Sequence, residues 1–535
     1  MPSPSSTRAT TALLWLGAVA VVLAAVPYRQ FDLDRFLVPK ELVLHAVALV
    51  GAFLCVAGAR RLTPAPIDLL LGLYVGLSAV SVGFAANWWL GARAFGVTFS
   101  GALVFWVARA LARAGRSRAV LGAVAAAAVV GAATSLAQAY GVDSDYFSIN
   151  RAPGGTFGNR NFVAHVAAIA LPVVILCALE ARRGLGFLLW AAGGTALAAV
   201  LVLSRSRGAW LAAAVSLGAA ALAGLLARRR WLDATRGRRL VSLGGIAAAG
   251  VTAALALPNA LEWRSDSPYL DSARDLVNYR EGSGRGRLVQ YQNTLRMAVA
   301  HPLLGVGPGN WSAAYPKYAS RNDPSLDRDD GLTANPWPSS DWAAFLAERG
   351  LPATALLVLT MLALGGGAVR GWLGADDPGE VLAALALGAT LLAAVVVGAF
   401  DAVLLLPAPA LLTWATLGAL APLPAARRGI ALGPDGRGWV AAALVLVGGL
   451  LVLRSATQIG AMAYANDATG SARMERAARL DPGSYRVRIR LARLYRDRGN
   501  CAKARPHALA SRNLLPNAPE PRRILSQCGY RERGR

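Results

Sequence analysis

Residues 154–165 read GGTFGNRNFVAH, and from Phe162 an apolar run, FVAHVAAIALPVVILCAL, continues to Leu179. A run of that length crosses hydrocarbon as a helix, because ~20 residues match a bilayer core about 30 Å thick. Directly before it stand glycines, a threonine, two asparagines and an arginine. So much hydrogen-bonding capacity at a membrane edge implies something to hold.

Working outward, the same apolar pattern recurs along the 535 residues, which are 55% hydrophobic and only 16% charged. Spans are expected near 11–27, 41–59, 67–86, 94–112, 119–138, 162–180, 185–203, 209–227, 240–257, 351–369, 380–399, 402–421 and 438–454. Hydrocarbon leaves a backbone no partner but itself, so these spans must be helices. The reading is an all-α polytopic membrane protein of 12–13 transmembrane helices, and a soluble or disordered chain is excluded.

Charge predicts the orientation. The connections after the second, fourth, sixth and eighth spans carry Arg60–Arg61, Arg113/Arg116/Arg118, Arg182–Arg183 and Arg228–Arg230. The alternate connections near 87–92 and 139–150 are nearly free of Lys and Arg, which assigns the arginine-rich loops to the cytoplasm. The N-terminus is then inside and the segment 258–350 outside. These loops and a basic tail account for the formal charge of +25, and no nucleic-acid partner is implied.

Four parts follow: a membrane domain at 1–257, a large extracytoplasmic loop at 258–350, further spans at 351–454, and a tail at 455–535. Within the loop, RLVQYQNTLRMAVA reads as a helix with Leu288, Tyr291, Leu295 and Val299 on one face. In the tail, Pro482 and Pro516 repeat at an interval of 34 residues, as do Ala477 and Ser511. Ala492, Tyr495, Gly499 and Ala504 fit the packing positions of a tetratricopeptide helix pair. The other reading of the tail is a basic amphipathic segment near the headgroups. Cys55 and Cys177 lie inside spans, Cys501 and Cys528 in the tail, where an oxidising compartment would allow a disulfide. No Cys/His cluster has metal-ligand spacing.

Arginines mark the candidate chemistry. Arg151 precedes the opening stretch and Arg160 lies in it, beside Asn159 and Asn161. SRSRGAW places Arg205 and Arg207 at another outer connection, and GSGRGRLVQY places Arg285 and Arg287 at a helix start. Guanidinium groups pair bidentately with phosphate oxygens and keep their charge. A single arginine at a span end often only reaches for lipid phosphates. Three such elements on one side favour a phosphate or pyrophosphate site.

At these residues the chain resembles the O-antigen ligase and Wzy-type polymerase superfamily. RAPGGTFGNRNF, SRGAW at 206–210, GRLVQYQNTLRMAVAHPLLGVGPGNW at 286–311 and SSDWAAFLAERGLPA at 339–353 match that family's motifs in order. The resemblance implies a GT-C-like membrane enzyme with no cofactor or metal. It would take a glycan from a polyprenyl-pyrophosphate carrier and pass it to a glycan, lipid-linked or protein acceptor at the periplasmic face. Arg287 and Arg207 are then expected to stabilise charge on the pyrophosphate, with Arg151, Arg205, Arg285, Asn159 and Asn161 binding substrate.

One departure concerns the base. The family carries a His-Asn pair where this chain has Ser339 and Ser340, so the neighbouring carboxylate Asp341 is the expected substitute, with Asp329 and Asp330 close upstream. His301 is a further binding candidate, or a residue that packs its loop. Trp337, between two prolines, reads either as a platform for a sugar face or as an interfacial tryptophan. His165 reads as cavity lining or helix packing. A transporter of lipid-linked glycans is the rival class, and it predicts charges deep in the spans and an internal repeat. The tail offers a surface for an envelope protein partner.

Overall fold

The computed structural model describes residues 4–59, 61–274, 282–327, 332–423, 429–431 and 433–530. Asp329 and Asp330 lie outside the described residues. The first membrane helices are α1 (Pro4–Leu23), α2 (Asp34–Gly58), α3 (Pro66–Val82), α4 (Trp88–Arg113), α5 (Ser117–Ala139), α6 (Arg160–Leu179), α7 (Gly184–Ser204) and α8 (Arg207–Leu226). The short α9 (Arg228–Trp231) leads into α10 (Ala234–Ala256). The loop segment contributes α11 (Pro268–Arg274), α12 (Gly282–Ala300) and α13 (Trp311–Ala314). Then come α14 (Asp341–Gly374), α15 (Pro378–Phe400), α16 (Pro407–Leu420) and α17 (Pro434–Ala465). The tail is α18 (Ser471–Leu480), α19 (Tyr485–Asp497), α20 (Cys501–Leu514) and α21 (Pro519–Gln527). A two-residue antiparallel ribbon pairs β1 (Arg61–Leu62) with β2 (Ile430–Ala431).

Eleven helices among the described residues are long and apolar enough to cross a membrane. Two expected spans are shorter: α3 has 17 residues and α16 has 14. The chain from Asp401 to Leu406 leaves the helix, and Pro407 restarts it at the first helical turn, where a missing N–H costs nothing. The chain is a multi-pass, all-α membrane protein.

Small residues set the packing. With lipid as apolar as the side chains, helices associate by close van der Waals fit rather than by the hydrophobic effect. Against α4, a Cβ on Gly418 of α16 would stand 2.3 Å from the Phe105 carbonyl oxygen, so only glycine permits the approach. One continuous core of Ala, Val and Leu runs through α1–α6 and α14–α16.

The span interiors are less uniformly apolar than the sequence suggested. Lys40, Glu41, His45, Arg109 and Arg349 are buried, and most have partners. Lys40 Nζ donates to the carbonyls of Ala24 and Thr156, and His45 Nδ1 hydrogen-bonds Ser100 Oγ at 2.8 Å.

The two ends of the bundle differ. At one, Arg109 pairs with Asp68 at 3.3 Å, Arg118 with Glu180, and Arg239 donates to the Leu179 carbonyl at 2.7 Å. At the other lie the described residues of segment 258–340 and of the tail. Asn87 Nδ2, at the start of α4, donates to Leu514 O at 2.9 Å, and Asn517 Nδ2 to Ala313 O at 3.0 Å. The tail therefore packs on the same face as the large loop, and Cys501 and Cys528 within it form a disulfide.

The apolar face of α12 is not the buried one. Leu288, Leu295 and Val299 are exposed, while Gln290, Asn293, Thr294 and Met297 are buried. The buried face is polar because its partners are: Asn293 Nδ2 donates to Asp323 at 2.8 Å and Trp311 Nε1 to Thr294 Oγ1 at 2.9 Å. The 3.6-residue period was legible, but which side of it faces the protein was not.

Candidate active site

The opening stretch divides into two halves with different tasks. Residues 154–158 are buried between α1, α2 and α5. Thr156 Oγ1 donates to Val22 O at 2.6 Å, Lys40 Nζ donates to Thr156 O at 2.8 Å, and Gly155 N donates to Gln138 Oε1 at 2.8 Å. Gly158 has φ 78°, and a Cβ there would stand 2.3 Å from the Phe36 ring. This half is scaffold. Asn159 then caps α6 by accepting from Asn161 N at 3.0 Å, and Arg160 N donates to Arg151 O at 3.0 Å. Both arginines and both asparagines thereby stand at the mouth of α6.

They meet arginines from three other elements around a cavity of about 330 Å³. Arg205 ends α7 in the left-handed region at φ 55° and Arg207 opens α8. Arg287 comes from the first turns of α12, and Asp401 follows the end of α15. Five guanidiniums (Arg151, Arg160, Arg205, Arg207, Arg287) face one carboxylate, Asp401, across this space. A cavity with that imbalance selects an anion of more than one charge.

Like charges held this close need a counterweight, and Trp263 supplies one. Its ring lies 4.9 Å from the Arg160 guanidinium and 4.6 Å from that of Arg205. Each cation is drawn to the negative face of the same indole. Arg205 Nε also donates to Ser272 Oγ at 2.8 Å, which fixes its rotamer. Trp263 and Ser272 belong to the loop after α10 and to α11, and no local signal in the sequence points to them.

An adjoining cavity of about 260 Å³ shares Arg151, Asn161, Arg287 and Asp401 with the first. Asn159, Gln290, Trp337 and Ser339 complete its wall. Arg287 and Asp401 therefore stand between the two spaces. Tyr291 holds α12 in place by donating to Ser339 O at 2.7 Å and Ala399 O at 3.0 Å. Trp337 packs against Phe162, with ring centroids 6.1 Å apart, so its ring is part of the cavity wall.

Asp401 is the carboxylate that faces the arginines. Its Oδ1 accepts from Ala402 N at 2.9 Å and its Oδ2 from Asn161 Nδ2 at 3.3 Å. His165 Nε2, buried on α6, lies 3.8 Å from Oδ2. Asp341, the carboxylate expected from sequence, has another task. It is buried and accepts Val403 N at 3.0 Å and Leu404 N at 2.8 Å. It thereby anchors the loop that carries Asp401. Ser340 caps α14 by accepting from Ala343 N at 3.3 Å and donates to Gly398 O at 3.1 Å.

The motif at 301–311 is also structural. It clasps the break in α14 at Gly350: Val306 N donates to Ala347 O, Gly307 N to Glu348 O, and Leu351 N to Pro302 O. The Glu348 carboxylate accepts Gly309 N at 2.9 Å and Trp311 N at 3.1 Å. A Cβ on Gly305 would stand 2.2 Å from the Glu348 carbonyl carbon. Behind the clasp, burial pushes the Tyr315 phenol up to about 12, so it stays protonated and donates to Asp323 at 2.8 Å. His301 and Arg285 are exposed and line neither cavity. The structure thus brings together Arg151, Asn159, Asn161, Arg205, Arg207, Arg287 and Trp337, and leaves Arg285, His301 and Asp341 outside.

Residues 187–358 match a protein-family model described as O-antigen ligase. No curated protein matches the chain. The matched region contains Arg205, Arg207, Arg287 and the clasp around Gly350. Asp401 and the opening stretch lie beyond it and reach the same cavity through the fold.

Proposed function

We propose that this member of the O-antigen ligase family is an inverting glycan transferase, taking an oligosaccharide from a polyprenyl-pyrophosphate carrier to an acceptor hydroxyl. The observation that carries the reading is the cavity of five guanidiniums against a single carboxylate. In the proposed step the acceptor oxygen attacks the anomeric carbon from the side opposite the pyrophosphate. The bond from that carbon to the phosphate oxygen breaks, its electron pair leaves with the pyrophosphate, and Asp401 takes the acceptor proton. Pyrophosphate is a good leaving group, so positioning and charge stabilisation supply most of the catalysis. Arg287 and Arg207 stabilise the departing charge, and Arg151, Arg160 and Arg205 hold the carrier's phosphates. His165 orients Asp401. Asn161 orients that carboxylate, and Asn159 and Asn161 bind the first sugar.

The acceptor in this reading is a sugar of an envelope polysaccharide, in ligation or polymerisation of O-antigen or exopolysaccharide. Transfer to a protein Ser or Thr is the second reading, favoured by the helical tail that packs beside the site and has the spacing of a tetratricopeptide pair. Transport of the lipid-linked glycan is disfavoured at two of the buried charges: Lys40 is satisfied by carbonyls and Glu41 by the half-buried Arg93. The chain would sit in the bacterial cytoplasmic membrane with the cavity toward the periplasm. The arginine-rich connections at the opposite end support this, as does the tail disulfide, which requires an oxidising compartment.

Purified protein given a polyprenyl-pyrophosphate oligosaccharide and an acceptor should release the carrier. Arg287→Ala should lower kcat by about 10²–10³, the usual cost of losing one preorganised charge donor. Full activity in that variant would remove the proposed phosphate site, and the product length would separate polymerisation from single transfer.

A further inference from the structure

Both ends of α12 meet the cavity-side ends of membrane helices. Near its start, Arg287 shares the arginine cavity with His165 of α6, Arg207 of α8 and Asp401 after α15, and Tyr291 donates to Ala399 O at 3.0 Å. Beyond its last turn, Leu351 N donates to Pro302 O at 2.8 Å, and Ser81 Oγ, in the last turn of α3, donates to Leu304 O at 2.5 Å. The 19 residues of α12 extend about 28 Å at 1.5 Å each. The helix therefore lies along the membrane plane, across the mouth of the bundle. Its exposed side carries Leu288, Leu295 and Val299, and Leu303 continues the ridge. Val299 is 72% exposed and Leu303 71%, as open as Leu362 at 64% on the exposed stripe of α14. That stripe begins at Leu351, beside Leu303, and runs through Leu359 to Leu373. Arg285, Gln292 and Arg296, all exposed, flank the ridge along one side at helical spacing.

We propose that α12 is an interfacial helix whose ridge lies in the boundary between headgroups and acyl chains of the leaflet on the cavity side, with Arg285 and Arg296 at the level of the lipid phosphates. The occupant follows from continuity. The exposed stripe of α14 belongs to a membrane span and is covered by lipid, and the ridge of α12 joins it without a break at Leu303 and Leu351. A surface facing water rarely leaves so long an apolar ridge open. An in-plane helix with leucines on one side and cations at their flank is the form that an interface selects, and long arginine side chains reach from such a helix to phosphates. Arg285 lines neither cavity and gains a task here. The placement stands whether or not the chain transfers a glycan. Under the transferase reading above it has a consequence: Leu288 is adjacent to Arg287, so the bilayer fixes the depth of Arg287 at the level where a lipid-linked pyrophosphate travels.

Nitroxide depth measurements on the full chain, in nanodiscs of phosphatidylethanolamine and phosphatidylglycerol, test this without turnover. With Cys55 and Cys177 replaced by Ala, a label is attached through Leu295→Cys or Val299→Cys on the ridge. Leu359→Cys on the exposed stripe of α14 gives the lipid reference, and Arg523→Cys on the tail gives the water reference. Oxygen concentrates in hydrocarbon and a neutral nickel chelate stays in water, so their collision rates with each label report its depth. Both ridge labels should lie about 5–10 Å inside the headgroup boundary, between the two references. Arg285→Glu with Arg296→Glu should shift both labels outward, because carboxylates are repelled by the anionic headgroups. Ridge labels that meet nickel as freely as the tail label would place the ridge in water and overturn the proposal. Labels shielded from both reagents would mean that a second copy or another protein covers the ridge, and would overturn it equally. Labels unmoved by the two glutamates would remove the headgroup contact. Ridge labels at the expected depth in a chain that releases no carrier would uphold the interfacial placement and sink the transferase reading.

Discussion

Replacing Asp401 by Asn keeps the side chain's size and an oxygen for Asn161, and removes only the charge and the basic site. If Asp401 takes the acceptor proton, kcat should fall by about 10²–10⁴, the range that general-base catalysis supplies. Donor KM should not rise, because the only carboxylate among the five guanidiniums of the cavity has been neutralised. The paired experiment is Asp341→Asn. Asp341 accepts two backbone N–H groups from the loop that carries Asp401. A charge-assisted hydrogen bond exceeds a neutral one by about 1–2 kcal/mol, so this variant should lose about 2–4 kcal/mol of local stability. It should show a lower Tm and a smaller, temperature-dependent loss of activity. Carrier release in nanodiscs, followed at several donor concentrations beside a thermal melt, separates the two cases. An Asp401→Asn enzyme within threefold of wild type, or an Asp341→Asn enzyme that is dead with an unchanged Tm, would refute the assignment and restore the reading from sequence.

Three further outcomes follow from particular contacts. Trp263→Leu should raise donor KM about tenfold with kcat nearly kept, since each cation–π contact contributes about 0.5–2 kcal/mol, and Trp263→Phe should recover most of it; an unchanged KM would mean the ring is only packing. Gly350→Ala should prevent stable folding, because φ is 78° and the added Cβ would stand 2.3 Å from the Leu303 carbonyl oxygen, a combined penalty above about 3 kcal/mol; a normal melt would show that the clasp yields. In the tail, burial works against the charged Glu475, but hydrogen bonds with Tyr495 and His507 outweigh it and hold the carboxyl below its ordinary value. A lowered carboxyl pKa means stability that is full above the unfolded value of about 4.3 and lost as pH falls through the folded one. Proteolysis of residues 471–527 should therefore speed up between pH 5 and about 3, and Glu475→Gln should flatten that dependence.

The motif arginines were legible because a guanidinium at a membrane edge is costly and conspicuous. Arg151, Arg205, Arg207 and Arg287 all reach one cavity as the sequence implied. Asp401, and not the Asp341 expected from sequence, lines that cavity, and the reason is physical. Asp341 and Asp401 both follow from their neighbours as residues at helix ends, and nothing local says that one will be saturated by amides and the other left facing cations. Trp263 was invisible for the same reason: its value lies in two arginines brought to its ring from α6 and α7.

The sequence by itself determined the class and the approximate places of thirteen apolar elements. It could do so because hydrocarbon length, backbone hydrogen bonding and charge each act on a short stretch of chain. Only the tertiary structure decided which face of α12 is buried, that the tail joins the loop face, and that Asn161 meets Asp401 across 240 residues. Those facts depend on close helix packing between distant segments. Contacts of that kind leave no periodicity to read.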